Sequence, residues 1–281
     1  MTERPPSGLD PAITAYYDQA PEETRLESGS SRLEGARTRE LIVRHLPVTP
    51  ATILDVGGAA GAYAFWLAER GYDVHLLDAT PRLVEVARRQ NAQSARPLGS
   101  CRVADARSLP DGDESADVVL MLGPLYHLIE REDRVAAISE ALRVLRPGGV
   151  LIAAAISRLA STLDGLAREL LGDPEFVGIV ENDLRDGRHR NPTGRLDYFT
   201  TAYFHRPDEL SSEALDAGFE IEALYGIEGP GWMLPDLAAR WDDPARREIV
   251  LRVARALECE PSALGCSAHL LLVARKTRNV D

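Results

Sequence analysis

Lysine is almost missing from this 281-residue chain: Lys276 is the only one, and the other 31 of the 32 basic residues are arginine. Catalytic-lysine chemistry is therefore excluded everywhere except near the C-terminus. Cysteine is scarce as well. Cys101, Cys259 and Cys266 are an odd, sparse set, which argues against a disulfide framework and fits a reducing cytoplasm. No C-x-x-C or H-x-x-x-H pair occurs, so no metal site is expected. The G-x-S-x-G elbow of a hydrolase is absent too. No apolar run approaches the ~18–20 residues of a membrane span, and Met1–Asp10 has no signal-peptide core. Positive charge is never concentrated: 44 Asp and Glu face 32 Lys and Arg, a net charge of −12. Nucleic-acid binding draws on clustered positive charge. The expectation is a cytoplasmic protein with a small-molecule partner and neither a nucleic-acid nor a membrane partner.

What is present is an ordinary balance of 44% hydrophobic and 27% charged residues, enough for one sizeable α/β domain. Residues 1–9 read as a disordered tail and 10–281 as a single domain. Two helices come first, about Pro11–Ala20 and Ser31–Leu46. An alternation follows. Thr52–Val56, Tyr72–Asp78, Cys101–Asp105, Asp117–Leu122 and Val150–Ile156 are short apolar strands. Helical stretches separate them at Gly61–Arg70, Thr80–Gln90 and Arg131–Arg146, and Pro147-Gly148-Gly149 reads as a turn. Strands apolar on both faces, joined by amphipathic helices, predict a doubly wound parallel sheet. Residues 157–205 break the rhythm with two helical stretches and the polar loop Gly187–Gly194. They read as an insertion acting as a lid and acceptor pocket, with Trp232 and Met233 beside it. Strands at Phe219–Ile227 and Ala268–Arg275 close the chain.

Chemistry is concentrated at the strand ends. Ile53-Leu54-Asp55-Val56-Gly57-Gly58-Ala59-Ala60-Gly61 is a strand, a glycine turn and a helix start. Its small residues let a ligand approach the backbone, at the sheet edge where ligands bind. The second strand ends in Asp78, 17 positions after Gly61, placed to accept hydrogen bonds from two ribose hydroxyls. The third ends in Asp105. The fourth runs into Gly123-Pro124-Leu125-Tyr126-His127. A pyrophosphate would be repelled by Asp55, whereas an ammonium group would be attracted. That disfavours a nicotinamide dinucleotide at this turn.

Taken together, D-V-G-G-A-A-G at 55–61, Asp78, A-D-A at 104–106, G-P-L-Y-H-L at 123–128 and R-P-G-G at 146–149 resemble class I S-adenosylmethionine-dependent methyltransferases. The resemblance covers roughly residues 30–156. It implies a Rossmann-like seven-stranded sheet whose last strand is antiparallel and inserted between strands five and six. It implies S-adenosyl-L-methionine as cofactor. Asp55 would orient the glycine loop and the methionine amino group, and Gly57, Ala59 and Gly61 would face the methionine and ribose. Asp78 would bind the ribose, Asp105 and Ala106 the adenine, and Leu122 and Gly123 the methionine portion. Tyr17 resembles an aromatic placed over the cofactor from an N-terminal helix. Ala59 stands where the family has glycine.

The implied activity is in-line methyl transfer to oxygen or nitrogen of a small molecule, such as a specialised metabolite. In such a displacement the protein mainly positions the acceptor and excludes water. His127 and His205 are the candidate proton acceptors, and Phe176, Tyr198, Phe199, Tyr203 and Phe204 candidate pocket walls. Monomer or homodimer is expected. The alternatives are a non-catalytic cofactor-binding regulatory partner, or a methyltransferase acting on protein or RNA.

Overall fold

A computed structural model describes residues 10–19, 22–27, 29 and 31–278. The tail read at 1–9 lies outside the described residues. Two helices lead, α1 (Pro11–Gln19) and α2 (Ser31–His45), joined by a short 3-10 turn at Glu22–Glu27. The alternation then runs β1 (Thr52–Val56), α3 (Ala64–Ala68), β2 (Asp73–Asp78), α4 (Pro81–Asn91), β3 (Ser100–Val103) and β4 (Ala116–Met121). It continues with α5 (Pro124–His127), α6 (Arg131–Val144) and β5 (Leu145–Ser157).

The remainder is α7 (Ala160–Ala167), α8 (Pro174–Asp186), β6 (Arg188–His189), β7 (Ala202–His205), α9 (Pro207–Asp216), β8 (Glu220–Gly226), α10 (Leu237–Asp242), α11 (Pro244–Leu257) and β9 (His269–Arg275).

Seven strands form the expected sheet. Its order is β3-β2-β1-β4-β5-β9-β8, with β9 antiparallel to both its neighbours. Side chains alternate along each strand, and both faces are covered. Leu54, Val119, Leu151 and Leu272 pack with Ile138 and Ala141 of α6 and Leu210 of α9. Ile53, Val118, Ile152 and Val273 pack on the other face with Leu41 of α2, Phe65 of α3 and Val84 of α4. Burial on both faces is why these strands read as continuous apolar runs. The strand order reverses between β1 and β4, which opens a crevice at their C-terminal ends.

Two features depart from the sequence reading. Pro147-Gly148-Gly149 is a bulge inside a longer β5, not a turn: pairing steps from Ala116↔Leu145 to Val118↔Val150. Lys276 holds this bulge, its ammonium donating to the Leu145 carbonyl at 2.7 Å. The segment read as a helical insertion also contributes two strands. β5 extends beyond β4, whose last pair is Met121↔Ala153, and β7 pairs in parallel with Ile156 and Ser157 there. Because β9 occupies the other edge of β5 at Ile156, β7 lies above the end of β4. β6 adds to β7 as an antiparallel partner.

Candidate functional site: two adjoining cavities at the sheet edge

The turn after β1 is held to β2 by backbone bonds: the N–H groups of Gly57 and Gly58 both donate to the Leu77 carbonyl, at 2.7 and 3.2 Å. Gly57 has φ +76°, and a Cβ there would meet Pro124 Cδ at 2.5 Å. Glycine is thus required both by the left-handed backbone and by contact with the turn after β4. Ala59 shares that left-handed region, at φ +48°. Its N–H donates to Asp78 Oδ2 at 2.9 Å, while Thr80 N–H donates to Asp78 Oδ1 at 2.7 Å. The two strand ends are thereby locked together, and each Asp78 oxygen keeps acceptor capacity for a ligand.

A cavity of about 1100 Å³ lies over this edge. Asp55, Gly57, Ala59, Gly61 and Asp78 line it from β1 and β2, Asp105 and Ala106 from the segment after β3, and Leu122, Gly123 and His127 from the end of β4. Tyr17 lines it from α1. The structure therefore brings every residue assigned to the cofactor into one place.

Their electrostatics differ. Asp55 is 2% exposed, and its Oδ2 is buried with no hydrogen-bond partner. Burial, then the charge of Asp78, pushes its pKa up to about 7. Burial also raises Asp78, against the N–H groups of Thr80 and Ala59. Burial works to raise Asp105 too, but Arg107 overcomes it and holds the carboxyl low. Arg107 Nη2 lies 2.6 Å from Asp105 Oδ2, and its Nη1 reaches Asp133 at 3.1 Å. The sequence reading missed Arg107, although a bidentate arginine two residues from a strand-end acid is a legible signal.

The two histidines part company. His127 is half-buried in the cavity wall, and loss of solvent pushes its pKa down to about 4. Its Nε2 lies 2.7 Å from Tyr17 Oη, and Nδ1 faces the Thr201 carbonyl at 3.4 Å. With a proton assigned to Nδ1, Nε2 accepts from the tyrosine. His205 is not brought to this cavity. It is fully buried behind the sheet edge, with Nε2 3.2 Å from Glu213 Oε2, and Glu213 in turn binds Arg134 through both oxygens.

A second chamber of about 250 Å³ adjoins the first, sharing Tyr17, Arg25 and Tyr126 with it. Phe176, Tyr198, Phe199, Phe204 and Trp232 line it, as read from the sequence. Tyr203 does not; it lies against the Arg134 guanidinium, 3.7 Å from the ring centre. Three groups were not foreseen here: Glu34, Glu228 and His269 bring polar atoms within 4.8 Å of one another. Both Glu34 oxygens accept from Arg25, and the Glu228 oxygens accept from Ser267 and His269. Each acid is thus held in place by its own hydrogen-bond donors.

The orphaned Asp55 oxygen, the small-residue turn and the doubly anchored Asp78 suit a ligand carrying an ammonium group and a ribose. Comparison with known proteins points the same way. Residues 53–149 match the family model described as a methyltransferase domain. A ubiquinone/menaquinone biosynthesis C-methyltransferase of Acidiphilium cryptum is 36% identical over 206 residues, 70% of this chain and 79% of that one. An uncharacterised methyltransferase of Mycobacterium tuberculosis is 37% identical over 144 residues, 50% of this chain and 52% of that protein, so the chain spans about half of that relative's length. The crystal structure of an S-adenosylmethionine-dependent methyltransferase from Mesorhizobium loti superposes with a TM-score of 0.57 at 20% identity, covering 86% of this chain and 99% of the other. Among the described residues, no helix is long and apolar enough to cross a membrane.

Proposed function

Because the chain belongs to the class I S-adenosylmethionine-dependent methyltransferases, we propose that it transfers a methyl group to a small-molecule acceptor held in the second chamber. One observation carries this reading: a chamber lined in part by aromatic side chains shares Tyr17, Arg25 and Tyr126 with the cavity that holds the proposed cofactor residues. At about 250 Å³ it exceeds the ~150 Å³ that accommodates a benzene ring, and it is too small for a folded macromolecule. The relative named for ubiquinone and menaquinone C-methylation supports a small acceptor.

S-adenosylmethionine, when bound, supplies a methyl group already activated on a sulfonium, for displacement in line. The chain's task is position and dryness. Asp55 would receive the ammonium group, giving up the proton that burial favours in exchange for a charge pair. Asp78 accepts from the ribose hydroxyls while its N–H partners keep it from rotating. Asp105, steadied by Arg107, accepts from the adenine amino group beside the backbone of Ala106. Leu122 and Gly123 line the methionine portion. Tyr17 closes the cavity from above, and its bond to His127 fixes the closure. In this reading His127 is a latch, since its Nε2 is already committed and burial disfavours its protonation.

The test is calorimetric titration of S-adenosylmethionine, its demethylated product and NAD into the purified protein. Binding of the first two but not NAD is expected. Asp78→Ala should weaken it about ten- to a hundredfold, the scale of charge-assisted hydrogen bonds. Folded protein that binds neither would overturn the reading. A screen for acceptors that gain one methyl by mass then follows.

A further inference from the structure

The antiparallel pairing of β8 with β9 sets Gly226 opposite Leu270. Just beyond that pair, Glu228 meets the first residue of β9, His269. Glu228 is 1% exposed. Its Oε1 accepts from His269 Nδ1 at 2.6 Å, and its Oε2 accepts from Ser267 Oγ at 2.6 Å and from His269 N–H at 3.1 Å. The N–H of Glu228 donates to Ser267 Oγ at 2.8 Å. A carboxylate gripped by three donors cannot turn away. It fixes the imidazole proton on Nδ1 and leaves Nε2 as the acceptor nitrogen.

Among the described residues Nε2 of His269 meets no hydrogen-bond partner, and the ring lines the second chamber with its side chain 24% exposed. The other imidazoles bordering the two cavities are committed. His127 Nε2 is met by Tyr17, and His189 spends Nδ1 on Asp183 and Nε2 on the Tyr198 carbonyl. The chamber that His269 lines also holds the aromatic rings of Phe199, Phe204 and Trp232, set among charged groups that include Arg25, Glu34 and Asp164.

Resting on the methyl-transfer reading, we propose that Glu228 and His269 form the proton-accepting dyad of the acceptor site, and that the acceptor is an aromatic hydroxyl compound. The aromatic side chains of the wall take the ring and Nε2 takes the hydroxyl proton. As the acceptor O–H bond breaks, an N–H bond forms at Nε2. The oxygen forms a bond to the methyl carbon, the sulfur–carbon bond breaks and its electron pair returns to sulfur. No oxidant or reductant is involved. The positive charge lost from sulfur reappears on the imidazolium beside Glu228. His269 is the catalytic residue, and Glu228 is its positioning residue.

The charges facing His269 favour that role. Burial works to lower its pKa, but Glu228 and Glu34 together raise it, against a smaller opposing effect of Arg25. Glu34 itself stays ionised: burial works to raise it, but Arg25 and His269 hold it at about 2.

The probe is 4-nitrophenol, whose absorption separates phenol from phenolate, mixed with the full-length protein below the probe's own ionisation midpoint. The wild type is expected to bind it and raise the phenolate fraction at least fivefold over free solution. His269→Gln should bind it chiefly as the phenol, with that gain lost. Glu228→Gln keeps an acceptor for Nδ1 but no charge; it should bind the probe with a several-fold smaller phenolate fraction, and it supplies the answer should His269→Gln fail to fold. A wild type that does not bind the probe, or variants with undiminished phenolate, would overturn the proposal. S-adenosylmethionine titrations on the same samples separate the two readings. Cofactor binding without the phenolate signal sinks the dyad alone, and loss of cofactor binding in folded wild type sinks the methyl-transfer reading.

Discussion

Tyr17 Oη and His127 Nε2 lie 2.7 Å apart, joining the N-terminal helix to the turn after the fourth strand in the wall of the larger cavity. Two further bonds tie the same helix down: Arg82 donates to the Tyr17 carbonyl at 2.7 Å, and Thr200 Oγ1 to the Ala12 carbonyl at 3.1 Å. Helix α1 thus bridges α4, α5 and the segment before β7. The same helix borders both chambers, with Ile13 lining the first, Tyr16 the second and Tyr17 both.

Tyr17→Phe keeps the ring but removes the donor. His127 Nε2 is then left without this donor in a half-buried wall, a loss worth about 0.5–1.5 kcal/mol. Urea denaturation should register a loss in that range, and calorimetry a several-fold weaker affinity for S-adenosylmethionine. Unchanged stability together with unchanged affinity would remove the latch.

Asp55 makes a prediction about pH. Its pKa is about 7 in the fold against an ordinary 3.8, so between those values the native state holds a proton that the unfolded chain has released. Stability from this group is therefore full at acid pH and is lost as pH rises toward 7. His127, at about 4 against 6.5, has the opposite sign: its contribution is full above 6.5 and is lost as pH falls toward 4. The two oppose each other across the window they share. Asp55→Asn removes only the first. Relative to wild type, the variant's stability should climb with pH by up to about 1.4 kcal/mol per unit between pH 4 and 7. A parallel pair of stability curves would show that Asp55 ionises normally. The same proton should be released when an ammonium-bearing ligand binds below pH 7, seen as a buffer-dependent binding enthalpy.

Ala59 occupies a left-handed backbone at φ +48°, which costs an L-residue about 1–2 kcal/mol. Glycine escapes that strain but loses about 0.5–1 kcal/mol to unfolded-state entropy. Ala59→Gly should therefore stabilise the protein modestly, by about 0.5 kcal/mol, and preserve the N–H bond to Asp78. Chemical denaturation measures it. A destabilised Ala59→Gly protein would mean that the methyl group's packing outweighs the backbone strain.

Legibility followed the range of the interactions. The glycine turn, Asp78 and Asp105 stand where a short apolar run meets a polar or glycine stop, and such punctuation is local. The burial of strands such as β4 on both faces could be read in the same way. β7 could not. Ala202-Tyr203-Phe204-His205 is too short to show a period, and it is a strand only because β5 projects past β4 and leaves Ile156 and Ser157 an open edge. The Glu228–His269 contact likewise depends on hairpin register across 41 positions, and no spacing rule reaches that far. His205 was misplaced for the same reason: the pattern set it before a helix, and the sheet turned it away from both cavities.

The buried Arg134–Glu213 pair gives His205 its setting and yields the last prediction. Arg134 and Glu213 have side chains 2% and 1% exposed and meet at 2.6 Å, and Arg134 also donates to the Leu128 and Ile129 carbonyls. Burial works to raise the Glu213 carboxyl, but His205 and Arg134 hold it below its ordinary value. Removing one partner of such a pair leaves an uncompensated buried charge, at a cost of about 3–5 kcal/mol. Glu213→Gln should lower stability on that scale. His205 is only a rim member of this network: its Nδ1 is already buried without a partner, and burial depresses its pKa. His205→Gln should therefore cost stability while folded material keeps kcat within about twofold, because nothing from this residue lines either chamber. A kcat that collapses in folded His205→Gln protein would restore it as a proton acceptor and require the end of β7 to reach the acceptor.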